Sequence, residues 1–121
     1  MDFKKLLAFQ KSFQLAMDVF QLSKSFPKEE KYSLTDQIRR SSRSVSANIA
    51  EAYRKRRYPN HFVSKLTDSD AENSETNVWL EFSLKCEYIN IETYNDLNNK
   101  TIEIGRLINY MINNPNKFGC E

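Results

Sequence analysis

The chain has 121 residues, 40% of them hydrophobic and 28% charged, with a formal net charge of +2 at pH 7. That length suits one domain with one modest core. The composition excludes a disordered segment, a disulfide framework built on two cysteines, and a membrane span of roughly 18 consecutive apolar residues. With only two glycines and three prolines, long helices are expected rather than strands.

The first helix is expected over about residues 6–25. Leu6, Phe9, Phe13, Ala16 and Phe20 recur at helical spacing, and Leu15, Val19 and Leu22 widen the apolar arc to about 220°. One face of a bundle needs less, so this helix is expected to touch another subunit as well. Pro27 breaks it. Ser33 and Asp36 then stand at capping-box spacing, with Asp in place of the usual Glu or Gln, and open a second helix over about 34–57.

The second helix has two faces. Leu34, Ile38, Val45, Ile49 and Ala52 form the inward seam, with the small Ser41 and Ser42 filling the missing turn. Arg39, Arg43, Arg54 and Arg57 fall on the other side, with Arg40 beside them. Arg39, Arg40, Arg43, Arg54, Lys55, Arg56 and Arg57 are offset only by Glu51, a local balance of +6.

Pro59 marks the next turn, and a third helix is expected over about 60–87. Its ends are apolar. Its middle is polar, with five acids from Asp68 to Glu81 and no base. The fourth helix, about 92–113, carries Tyr94, Leu97, Thr101, Ile104, Ile108 and Met111 at heptad-like spacing, with Gly105 beside them to permit a close approach. Asn114-Pro115 ends it. The tail 114–121 is expected to fray, with Phe118 as an anchor. Four such helices with short connections imply one domain, residues 1–121: an all-α, antiparallel up-down-up-down four-helix bundle.

Chemistry is sparse. The only histidine, His61, sits beside a proline, so neither a di-iron set nor a nucleophile–histidine–acid arrangement can be assembled. No catalytic residue, metal site or cofactor is expected. Cys86 reads as a small core filler and Cys120 as a tail residue. Without an apolar leader segment, a reducing cytoplasm is the expected compartment.

The basic stripe allows three readings: a solvated helix face, a partner for the acidic middle of helix three within or between subunits, or a phosphate-binding surface. Tyr53 and Tyr58 flank the 54–57 cluster and could stack on unpaired bases, although Tyr53 could equally edge the core. A polar flank of Gln37, Ser41, Ser44, Asn48 and Glu51 borders the apolar face, and Asn73 and Asn77 do so on helix three. Asn48 and Glu51 are expected to be buried and hydrogen-bonded, with Arg39, Arg40 or a residue across an interface as charge partner. A ligand cavity in the bundle is the alternative use of this flank.

The run Phe26-Pro27, Glu30, Tyr32, Leu34, Gln37, Arg39-Arg40, Ser44 and Asn48-Ile49-Ala50-Glu51 resembles the pattern of the four helix bundle protein family, also called the 23S ribosomal RNA intervening-sequence protein family. The flanking RKRRYPNHFVSKL and IGRLINYMINNP extend the likeness over nearly the whole chain. Ala52 replaces a glycine usual in the family, and Ala71-Glu72 replaces a Gly-Ser step. The resemblance implies an antiparallel four-helix bundle, a ring-like homo-oligomer of five subunits, and no catalytic residues. It is also similar to the accessory variability protein of diversity-generating retroelements, which works with a reverse transcriptase and nucleic acid. The combined expectation is a non-enzymatic, oligomeric accessory protein that binds RNA or DNA phosphates through Arg39, Arg40, Arg43, Arg54, Lys55, Arg56 and Arg57. A protein-only assembly module, whose basic and acidic faces pair between subunits, is the alternative.

Overall fold

The computed structural model describes residues 2–120 and is helical throughout, with no strand among the described residues. The long helices are α1 (Leu7–Ser23), α2 (Asp36–Arg54), α3 (Pro59–Lys85) and α4 (Ile91–Asn113). Short 3-10 turns cover Phe3–Lys5, Lys28–Glu30 and Pro115–Phe118. Each helix packs on the next along the chain, and α4 closes back onto α1. Side-chain pairs run in opposite order along neighbouring helices: Lys11 meets Glu103 and Asp18 meets Lys100, while Arg40 meets Glu75 and Glu51 meets Lys65. The bundle is therefore antiparallel up-down-up-down.

The inward seams of α2 and α4 are those expected. Ile38, Val45, Ile49 and Ala52, and Leu97, Ile104, Ile108 and Met111, are all buried in one continuous core with Phe62, Leu66 and Leu80 of α3. The seam of α1 is rotated from the expected one. Ala8, Ser12, Leu15, Ala16, Val19 and Ser23 point inward. Phe9 and Phe20 lie half-buried at the edges, and Phe13 is 52% exposed. Alanine and serine let α1 approach its neighbours closely, and the phenylalanines are too bulky for that line.

On α3 the inward positions are largely polar: Ser69, Asn73, Thr76 and Ser83 are buried. Each makes a hydrogen bond, although the Asn73 side-chain oxygen is left without a partner among the described residues. Ser69 donates to the Val45 carbonyl (2.7 Å), Ser83 to that of Trp79 (2.8 Å), and Asn73 Nδ2 to that of Thr101 (2.8 Å). The hydroxyls of Ser41 and Thr76 meet at 2.8 Å across the α2–α3 seam. The Ser83 bond stays within α3, but the other three cross to α2 or α4 and fix helix register where apolar side chains are few.

Helix ends depart from expectation in several places. The capping box is absent: Lys31–Thr35 already forms a π-helical turn running into α2, and the Ser33 hydroxyl donates to Glu30 Oε1 (2.6 Å) instead of capping a backbone amide. α2 ends at Arg54, so Lys55, Arg56 and Arg57 belong to the turn before Pro59, the first residue of α3. α3 ends in a Schellman arrangement with Tyr88 N–H on the Ser83 carbonyl (2.9 Å) and Glu87 N–H on that of Leu84 (3.0 Å). Its left-handed position is Glu87, at φ 63°. Asn90 caps α4 through the Thr93 amide (2.8 Å).

The tail is seated rather than frayed. Phe118 packs against the core and Cys120 is buried; Glu121 lies outside the described residues. The cysteines thus exchange their expected places, because Cys86 is the exposed C-cap of α3. Gly105 meets no crowding: a Cβ there would lie 3.5 Å from Asn73 Nδ2, ordinary contact.

Candidate nucleic-acid interface

The seven basic residues fall into three groups. Arg40 is committed to α3, where its Nη2 meets both Glu75 oxygens at 3.0 Å and Nη1 lies 3.4 Å from Glu72 Oε1. The Glu75 bond holds the Arg40 guanidinium above its ordinary value. Burial and the adjacent Glu75 push the Glu72 carboxyl up despite Arg40. Part of the acidic middle of α3 is therefore matched within the subunit. Glu81 accepts from the Tyr94 hydroxyl and Asp70 from Asn109.

The second group surrounds one aromatic ring. Arg39 donates from Nε to the Ser23 hydroxyl (2.7 Å), and its guanidinium lies 4.9 Å from the Phe20 ring centre. Arg43 lies 5.7 Å from the same centre and Lys24 4.7 Å. Lys24 belongs to the C-cap of α1, so nothing in the sequence near Arg39 announces it. Three cations thus share one half-buried phenylalanine, and none has a carboxylate within 4.0 Å among the described residues. Cation–π contact and the carbonyl end of α1 offset their mutual repulsion in part.

The third group lies at the turn after α2. Arg54, Lys55 and Arg57 are exposed and have no ion pair among the described residues. Arg56 instead is fixed. Its guanidinium stacks 3.6 Å from the Tyr53 ring centre, donates from Nε to the Tyr53 carbonyl (2.8 Å) and from Nη1 to the Phe118 carbonyl (3.2 Å). Arg43 and Arg54, 11 residues apart, stand on one side of α2 about 16 Å apart along its axis.

Two expectations for the surroundings are corrected. Tyr53 is 4% exposed and cannot stack on a base, whereas Tyr58 is exposed beside His61. Glu51 is exposed and pairs with Lys65 (2.9 Å), which raises the Lys65 ammonium above its usual value; neither Arg39 nor Arg40 reaches Glu51. Asn48 is half-buried, with no side-chain hydrogen bond among the described residues. Residue 48 lies toward the edge of the seam, where α2 presents Val45 and Ile49 to the core, and Glu51 falls farther out.

Among the described residues no three His, Cys, Asp or Glu side chains gather into a potential metal site, and no helix is long and apolar enough to cross a membrane. An open groove of about 490 Å³ runs between α3 and α4, with Asn73, Asn77, Asn98 and Thr101 on its sides. Asn77 spans it to Asn98 and to the Thr101 hydroxyl (3.2 Å).

No curated protein matches the chain. Among solved structures, the chain is similar to a protein of unknown function from the S23 ribosomal protein family of Bacteroides thetaiotaomicron VPI-5482, with 34% identity and a TM-score of 0.80 over 88% of this chain and 96% of that one. The family model described as 23S rRNA-intervening sequence protein matches residues 4–110. The chain, a four-helix bundle over that same span, belongs to the 23S rRNA-intervening sequence protein family.

Proposed function

We propose that this protein is a non-enzymatic, self-assembling accessory protein of a reducing cytoplasm that binds nucleic-acid phosphates through the basic edge of α2. The observation that carries the reading is the unequal fate of the two charge sets. Arg40 takes up Glu72 and Glu75 inside the subunit, while Arg43, Arg54, Lys55 and Arg57 stay exposed with no carboxylate among the described residues. An edge of unneutralised guanidinium groups suits phosphate recognition without base specificity. The family description, which refers to ribosomal RNA intervening sequences, favours RNA as the first ligand to try.

Self-assembly rests on a separate feature. The outward side of α1 presents Phe13 and Met17 among Gln10, Gln14 and Gln21, and the charged residues beside them, Lys11 and Asp18, are taken up by Glu103 and Lys100 of α4. Such a surface suits burial against another copy, and a closed ring of five would repeat the basic edge around its axis. The test is binding of single-stranded RNA and DNA by fluorescence anisotropy at low salt, alongside mass by light scattering. Replacing Arg43, Arg54, Lys55 and Arg57 by Gln should weaken every sequence alike and leave the mass unchanged. If the variant falls apart instead, these residues pair subunits and the protein-only assembly reading replaces this one.

A further inference from the structure

The turn after α2 and the C-terminal tail enclose a polar cleft of about 340 Å³, lined by Tyr53, Arg54, Arg56, Arg57 and Gly119. Its guanidinium groups are not equivalent. Arg56 is held at three points: its Nε on the Tyr53 carbonyl, its Nη1 on the Phe118 carbonyl, and its plane on the Tyr53 ring. Its Nη2 makes no hydrogen bond among the described residues. Arg54 and Arg57 stand exposed on either side.

The tail is shaped around this guanidinium. Gly119 adopts φ 95°, a conformation other residues rarely take, and a Cβ there would come within 2.8 Å of Arg56 Nη1. Cys120, 5% exposed, pins the segment behind it. A bond to Phe118 alone would explain a tail clasp. Chain adjacency brings Arg54 and Arg57 into the same cleft, and neither has an ion pair there among the described residues, so three guanidinium groups line it with no carboxylate.

We infer that this cleft is a phosphate seat, with Arg56 as its pre-set donor, Arg54 and Arg57 as closing arms, and the tail from Phe118 to Cys120 as one wall. The inference rests on the nucleic-acid reading above and deepens it. A guanidinium already immobilised by its own chain loses little freedom on binding, and it presents a fixed donor rather than a diffuse charge. The ligand is a phosphate group, carried either within a nucleic-acid backbone or at a 5′ end.

Charge-conserving substitution separates this seat from simple attraction. Labelled single-stranded RNA, with and without a 5′-phosphate, is titrated at low salt against wild type, Arg56→Lys and Gly119→Val. Arg56→Lys keeps the charge but not the planar fork, so affinity should fall about tenfold, the loss of one charge-assisted hydrogen bond, with the salt dependence unchanged. Gly119→Val should fall similarly. A wild-type preference for the 5′-phosphorylated strand assigns the seat to a terminal phosphate; equal binding assigns it to the backbone. In a Cys86→Ser background, bound RNA should also slow maleimide labelling of Cys120, a readout independent of whether either variant loosens the tail. Variants that bind like wild type, or Cys120 labelling indifferent to RNA, overturn the seat while the wider reading stands. Wild type that binds no RNA overturns both.

Discussion

The hydroxyl pair across the α2–α3 seam allows a quantitative test of how polar groups hold this bundle in register. Ser41 and Thr76 are both fully buried, with their oxygens 2.8 Å apart. Each hydroxyl also has a carbonyl within reach, Glu72 for Thr76 at 2.9 Å and Ile38 for Ser41 at 3.4 Å; the shorter Glu72 bond favours Thr76 spending its proton there and Ser41 donating between them. Thr76→Val preserves shape but removes the acceptor, and leaves the Ser41 O–H with only the Ile38 carbonyl at 3.4 Å. The expected cost is about 1–2 kcal/mol, that of a buried donor left nearly unpaired. Ser41→Ala leaves Thr76 still bonded to Glu72 and should cost less, about 0.5–1 kcal/mol. The double variant has no orphaned donor, so its cost should fall short of the sum by about 1 kcal/mol. Urea unfolding at one fixed protein concentration, followed by circular dichroism, reads all four corners of the cycle. Strict additivity would refute the account of α3 as a helix docked through its hydroxyls.

Other perturbations follow from single observations. Phe13→Glu should dissociate the assembly while leaving helicity intact, because Phe13 is 52% exposed within the subunit; unchanged mass by light scattering would rule out the α1 surface as the contact. Glu87→Gly should stabilise the protein by about 1 kcal/mol, since a residue at φ 63° pays a steric cost that glycine avoids; a lower urea midpoint would contradict this. The Glu30 carboxylate pushes the Tyr88 hydroxyl from 10.0 up to about 12. A raised value favours the neutral phenol in the fold, so the stabilisation is complete below pH 10 and lost as pH climbs toward about 12. The stability difference between wild type and Tyr88→Phe should shrink across that window, and a constant difference would show that the bond contributes nothing.

Residue pattern foretold the parts of the fold where one phase of apolar residues dominates. Leu97, Ile104, Ile108 and Met111 leave α4 a single inward side, and Ile38, Val45 and Ile49 do the same for α2. α1 has apolar residues on more than half its circumference, so periodicity could not choose between the phenylalanine line and the Leu15–Val19 line. On α3 the inward residues Ser69, Asn73 and Thr76 carry no hydrophobic signal, and only their hydrogen bonds show which way they point. For the basic edge, residue types were readable but assignments were not. Arg40 is removed from it by acids 32 and 35 positions away, Arg56 is tied to a carbonyl 62 positions away, and Lys24 joins it from another helix. The seated tail was hidden for the same reason, since its anchor is a distant guanidinium.

The salt dependence of RNA binding tests the central claim most directly. Each phosphate neutralised on a single strand contributes about −0.7 to the slope of log affinity against log salt. Wild type should bind single-stranded RNA at low salt with a linear, steep slope. Replacing Arg43, Arg54, Lys55 and Arg57 by Gln should make that slope shallower by up to about 3 for each subunit engaged, with mass and urea midpoint retained. A wild-type protein that binds no RNA at low salt, or a variant that keeps the wild-type slope, would contradict the assignment of this edge to phosphate.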